Sequence, residues 1–388
     1  MRRRALAVLP ALLMAGVAAA GSAAAAPSNQ GAAHRNTHVC STPLAGSAGC
    51  HAIRRDKLDA HGKVTPNLTP SGYGPADIRS AYNLTTGSGG RTVAIVDAYD
   101  DPNAEADLAT YRSTYGLPAC TTANGCYRKV DQNGGTKYPR ANGGWAQEIS
   151  LDLDMVSAAC PDCKILLVEA SSASFANLGT AVNTAARLGA TAISNSYGGS
   201  DSAATSAYDH PGIAITASTG DSGYGVQSPA SFGTVVAVGG TSLSRSGTTR
   251  GWSESAWSGA GSGCSTINAK PSWQTSVTQC AKKANADVSA VADPNTGVAV
   301  YDSYAYQGVK GWLVFGGTSA SSPIVASVYA LSGNTAGYPA SYTWANASAL
   351  YDVTSGSNGT CATTVWCNSG TGWDGPTGLG TPNGTSAF

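Results

Sequence analysis

The chain has 388 residues, with 23 Lys plus Arg against 23 Asp plus Glu and a formal net charge of +0. That balance supplies no overall field toward nucleic acid or an anionic membrane, so neither is an expected partner. With 12% charged residues and 48 glycines, the surface must be covered largely by Ser, Thr, Asn and backbone, which suits a loop-rich extracellular protein.

Met1-Arg2-Arg3-Arg4 is followed by an apolar run from Ala5 to Ala20 and small residues as far as Ala26, the layout of a cleaved secretory signal. The apolar core is short for a bilayer span, so residues 1–26 are expected to be removed, leaving a secreted protein free of the membrane. Residues 27–67 are rich in Ala, Ser, His and basic side chains without periodicity and read as a short pro-segment or N-terminal arm. Residues 68–388 are expected to form one continuous domain. Its opening, Thr69-Pro-Ser-Gly-Tyr-Gly-Pro75, breaks the chain before a helix starting near Ala76. The runs Thr92–Val96, Lys164–Val168, Thr191–Ser194 and Ile213–Ala217 then alternate with helical stretches over 145–159 and 174–188. Such β-branched runs mark strands buried on both faces of a parallel sheet, an α/β architecture. Shorter strands are expected at Val235–Val238, Gly297–Tyr301 and Trp312–Phe315.

The 10 cysteines all follow the signal, and an even number in an exported chain argues for disulfides over metal ligands. They fall into local couples, Cys40 with Cys50, Cys120 with Cys126, Cys160 with Cys163, Cys264 with Cys280 and Cys361 with Cys367, although spacing leaves the connectivity open. Cys160-Pro-Asp-Cys163 lacks a thioredoxin-like context and reads as structural.

The most informative stretch is Gly316-Gly317-Thr318-Ser319-Ala320-Ser321-Ser322-Pro323. Small residues before Ser319 admit a peptide backbone, and the following segment can enter a helix with Pro323 in its first turn. A serine at a helix N-terminus faces backbone N–H groups and the positive dipole end, which favour an activated hydroxyl and an oxyanion site. The five histidines, His34, His38, His51, His61 and His210, offer no evident base. Four precede the expected domain, and His210 sits in a polar turn. An acidic base is the alternative. Glu148 and Asp152, four apart in Gly144-Trp-Ala-Gln-Glu148-Ile-Ser-Leu-Asp152, would share a helix face. Paired carboxyls raise at least one pKa and hold a proton between them. In Ala217-Ser-Thr-Gly-Asp221-Ser-Gly223, directly after an expected buried strand, Asp221 can stabilise an oxyanion only when protonated.

These elements, in this order, resemble the sedolisin family of serine-carboxyl peptidases. Thr69-Pro70 to Ala81-Tyr82-Asn83 and Ser228-Pro-Ala-Ser231 to Ala237-Val-Gly-Gly-Thr241 agree, so the likeness covers residues 68–388. It implies a subtilisin-like three-layer fold with a central, mainly parallel sheet flanked by helices, and a secreted, acid-active endopeptidase working as a monomer on polypeptides. Ser319 would be nucleophile, Glu148 general base and then acid, Asp152 its hydrogen-bonded partner, and Asp221 the oxyanion stabiliser. Tyr351-Asp352-Val353 and Ser369-Gly370-Thr371-Gly372-Trp373-Asp374 resemble the family's calcium loop. They imply Ca2+ ligated by the side chains of Asp352 and Asp374 and the carbonyls of Val353, Gly370 and Gly372. Two features depart from the family. The segment before Leu68 is short for its propeptide, and Asp97, closing the first expected strand, reads as a loop-ordering residue. A catalytically silent, peptide- or surface-binding relative is the rival from another class.

Overall fold

Strands form where the apolar runs are continuous, because only burial on both faces rewards such sequences. In the computed structural model, which describes residues 33–388, Thr92–Ala98 lies at the middle of the main sheet. Lys164–Ala170 and then Tyr127–Asp131 extend the sheet on one side, and Ala192–Asn195, Ala214–Ser218 and Val236–Arg245 on the other. All these neighbours pair in parallel. Val288–Val291 joins Val236–Arg245 in parallel, and Trp252–Ala256 closes that side antiparallel. Val93, Ile95, Val96, Leu167 and Ile193 have no more than 0% exposure, each worth about 1.5–3 kcal/mol in apolar burial. The expected signal at 1–26 and the first residues of the 27–67 segment lie outside the described residues.

Helices cover the sheet. Gly143–Ala159 is buried from Gly144 onward, which explains why its sequence carries little amphipathic contrast. Its first turn is capped by the Asn142 side chain, which accepts from the N–H groups of Gly144 and Trp145. This helix packs against Thr318–Ser332. Pro323 stands in the second turn of Thr318–Ser332, not the first as expected. Having no N–H, it leaves the Ser319 carbonyl without its helical donor, and the Ser196 hydroxyl oxygen lies 3.4 Å from that carbonyl. The helix ends at Gly333 in the left-handed conformation.

The last two expected strands belong to a second, antiparallel sheet. There His34–His38, Ile53–Lys57, Val309–Gly316 and Val298–Tyr306 lie side by side. Most of the 27–67 segment is thus folded onto the body. All five cysteine couples are joined as disulfides. Among the described residues, no helix is long and apolar enough to cross a membrane.

Candidate active site

Loops leaving the carboxyl ends of parallel strands gather at one crevice, where α/β sheets commonly hold their sites. Asp97 is at the end of Thr92–Ala98, Ser196 follows Ala192–Asn195, and Asp221 follows Ala214–Ser218. The helix Gly143–Ala159 brings Glu148 and Asp152, and Thr318–Ser332 brings Ser319 at its second residue. Gly317 permits that entry. Its φ of +93 lies in the left-handed region, and an added Cβ would fall 1.8 Å from the carbonyl oxygen of His51.

The Ser319 hydroxyl lies 2.9 Å from Glu148 Oε2, to which it donates, and 3.1 Å from the carbonyl oxygen of Ser196. Asp152 Oδ1 accepts from the Ser196 hydroxyl at 2.7 Å. Glu148 Oε1 and Asp152 Oδ2 are buried without a hydrogen-bond partner among the described residues, as are both oxygens of Asp97. Burial, then the neighbouring charges of Asp152 and Asp97, holds Glu148 well above the usual carboxylate range. Burial and Asp97 do the same to Asp152, while the hydrogen bond from Ser196 opposes the rise. Asp97 is itself driven up by burial. It is therefore part of the acid cluster under the serine and not a loop-ordering residue. Its position at the end of a buried strand was the signal, and only the fold shows what it faces. Asp154 turns away, accepting from the Tyr301 N–H at 2.9 Å.

Asp221 Oδ1 accepts from the Thr318 N–H at 2.7 Å and its hydroxyl at 2.8 Å, while Oδ2 has no partner. Burial pushes its pKa to about 7, so below that pH Oδ2 can carry a donor proton. Asp221 lines a cleft cavity of about 490 Å³ together with His51, Gly198 and Gln227. No histidine serves Ser319. His51 is committed to the Ser218 hydroxyl at 2.7 Å and to Gln227 Oε1 at 2.9 Å. His210 bonds Asn183 Oδ1. His34 and His38 are in an outer strand, and His61 is exposed. Sequence reading missed Ser196 and the approach of His51, neither of which carries a motif of its own, and it missed the bonds from Thr318 to Asp221 although Thr318 stands in the Gly-Gly-Thr-Ser stretch.

At the C-terminal loop, Asp352 Oδ2 accepts from the Gly372 N–H at 2.9 Å. Asp374 is fully buried and accepts from Thr377, Ser369 and Gly370.

A family model described as the subtilase family matches residues 85–380. Kumamolisin of Bacillus sp. (strain MN-32) is 30% identical over 367 residues, spanning 82% of this chain and 63% of that protein. The chain thus covers less than two thirds of that relative's length. Sedolisin of Pseudomonas sp. (strain 101) is 34% identical over 176 residues, 40% of this chain and 29% of that protein. A solved structure of Pseudomonas sedolisin, a serine-carboxyl proteinase complexed with two molecules of pseudo-iodotyrostatin, matches with a TM-score of 0.68 at 27% identity. That match covers 81% of this chain and 96% of that one.

Proposed function

Because the chain belongs to the subtilase family, and within it to the sedolisins, we propose that it is a secreted serine-carboxyl endopeptidase acting on polypeptides through an acyl-enzyme. The observation that carries this reading is the 2.9 Å hydrogen bond from the Ser319 hydroxyl to Glu148 Oε2. In the reaction Ser319 Oγ attacks the scissile carbonyl as Glu148 takes its proton. Asp152, whose charge raises the Glu148 carboxyl, favours a proton shared between the two acids. Neutral Asp221, fixed through Oδ1 by Thr318, donates from Oδ2 to the oxyanion. Glu148 then protonates the leaving amine, and water resolves the ester along the same path in reverse. Acid activity follows, because the oxyanion donor exists only below about pH 7.

Disulfides support export, since they persist in oxidising compartments. A monomer without membrane attachment, with a peptidase domain over 68–388, completes the reading. Calcium belongs to the proposal as well. The carboxylates of Asp352 and Asp374 and the carbonyls of Val353, Gly370 and Gly372 would hold it, an all-oxygen set suited to a hard cation. The fit is supported by the bond between Asp352 and Gly372. It is supported also by the burial of Asp374 without an ion-pair partner among the described residues. Bound there, the ion would cross-link two loops and take no part in the chemistry.

The test is digestion of a denatured protein at pH 3–6 by wild type and by Ser319→Ala and Glu148→Gln variants of unchanged melting temperature. Each variant should lose at least about 10³-fold in kcat/KM. Full turnover by Ser319→Ala would reject the mechanism. A wild type that binds peptides without cleaving them would support the silent relative.

A further inference from the structure

Of the carboxyl oxygens of Glu148, Asp152 and Asp97, all but two lack a hydrogen-bond partner among the described residues. Each of those two is held by a hydroxyl. Glu148 Oε2 accepts from the nucleophile itself at 2.9 Å, and Asp152 Oδ1 accepts from Ser196 at 2.7 Å. No ion pair reaches any of these acids among the described residues. A hydroxyl carries a single hydrogen, so Ser196 spends its donor on Asp152 and is the only donor the acids have apart from Ser319. Ser196 is fully buried and stands directly after Ala192–Asn195, and its carbonyl accepts the Ser319 hydroxyl at 3.1 Å. One residue thus touches the second acid through its side chain and the nucleophile through its backbone. Neighbouring hydroxyls are engaged elsewhere. Ser194 bonds the Ser322 hydroxyl at 2.9 Å, and Tyr197 donates to Asn195 Oδ1 at 2.6 Å.

We propose that Ser196 is a positioning residue for the reaction: by holding Asp152 Oδ1 it keeps the negative charge of the acid pair on Asp152 and leaves Oδ2 as the oxygen that exchanges the shared proton with Glu148. The proposal rests on the peptidase reading above. A donor to a carboxyl favours its ionised form, and here it works against burial and the charge of Asp97. The titrating groups around Asp152 are Glu148 on its own helix and Asp97 at the end of Thr92–Ala98, with Asp221 acting on Glu148 from the loop after Ala214–Ser218. Thr318–Ser332 brings only the Ser319 hydroxyl. Ala104–Thr114 and Val298–Tyr306, which also pack on the acid-bearing helix, set Asp107, Arg112 and Asp302 against Asp154 instead. When Ser319 Oγ bonds to the scissile carbonyl carbon, its proton passes to Glu148 Oε2, and the proton that Glu148 already holds passes to Asp152 Oδ2. As the bond to the leaving nitrogen breaks, that nitrogen takes a proton from Glu148 and Asp152 returns one to Glu148. The charge that leaves Asp152 is the charge that appears on the oxyanion, and Ser196 keeps the carboxyl from turning between the two transfers.

The experiment measures kcat and KM on one peptide between pH 2 and pH 6, with melting temperatures at each pH. It compares wild type with Ser196→Ala, Ser196→Gly, Ser196→Thr and the control Ser194→Ala. The Ala and Gly variants at 196 keep the carbonyl and lose the hydroxyl. Their acidic limb should move about one unit toward higher pH, lowering kcat/KM about tenfold at any pH on that limb, with KM within about twofold of wild type. Ser196→Thr, which keeps a hydroxyl, should restore the limb. Ser194→Ala, which removes a buried hydroxyl that bonds no acid, should leave it in place. An unmoved limb in Ser196→Ala and Ser196→Gly overturns the assignment and spares the peptidase reading. The same holds for an equal shift in Ser194→Ala, or for a shifted limb in Ser196→Thr of unchanged melting temperature. A wild type that cleaves no peptide overturns both.

Discussion

Asp221→Asn separates the oxyanion donor from the base. In the wild type Oδ1 is held by two bonds from Thr318, at 2.7 and 2.8 Å, so the donated proton must sit on Oδ2. With a pKa of about 7, the donating form falls tenfold per pH unit above neutrality, to about a hundredth at pH 9. Loss of one oxyanion donor costs about 10²–10³ in kcat, so kcat/KM of the wild type should fall about a hundredfold between pH 6 and pH 9. In the variant, Asn Oδ1 keeps both Thr318 bonds and Nδ2 stands where Oδ2 stood, a donor at every pH. Its profile should be flat across the same interval and cross above the wild type near pH 8. Initial rates on one peptide at half-unit intervals, with melting temperatures at each pH, measure this. A variant that declined in step with the wild type would assign the alkaline limb to another group.

Asp97→Asn removes a charge that raises both Glu148 and Asp152; the acidic limb of kcat/KM should move roughly half a unit or more toward lower pH, and an unmoved limb would exclude Asp97 from the cluster's titration. Stability should follow buried acids away from the serine. Burial raises Glu169 and Asp302 to about 8 and Asp101 to about 7, so the fold binds protons that the unfolded chain releases. That contribution is complete below the ordinary values of 3.8 and 4.5 and is lost as pH rises through 7 to 8. The melting temperature of Ser319→Ala should accordingly be several degrees higher at pH 4.5 than at pH 8.5, and the reverse order would contradict these shifts. Excess EDTA should lower the melting temperature of wild type by several degrees, as expected for loss of a cation held at about 100 times its dissociation constant; Asp374→Asn should show no such difference, and an unaffected wild type would dismiss the calcium site.

Much of this was legible in the sequence because the chemistry is local. The run Thr92–Val96 has one use, a strand buried on both faces, and it forms within Thr92–Ala98. Glu148 and Asp152 needed only helical spacing to be paired, and Ser319 only its small neighbours to be placed at a helix start. What stayed hidden depends on contacts distant in sequence. The His51 ring meets Ser218 and Gln227 across separations of 167 and 176 residues. Nothing in the arm's own composition signals strand pairing with residues 197–200. Asp97 was visible as the end of a strand, but a carboxylate there orders a loop or joins an acid cluster according to which helix is packed above it.

The cleft shows one physical cause acting with opposite signs. Removal from water disfavours whichever form is charged, so burial lifts Glu148, Asp152 and Asp221 toward the neutral acid and drops His51 to about 4, toward the neutral base. Gln227 works against that drop, and His38 adds slightly to it. Seating the arm therefore favours unprotonated His51. That contribution is fully present above the ordinary histidine value of 6.5 and is lost as pH falls toward 4. Over the same descent Asp221 gains its donor proton. Acidification thus gives Asp221 its donor proton and disfavours the burial of His51 in the same cavity, and both effects follow from one dry crevice.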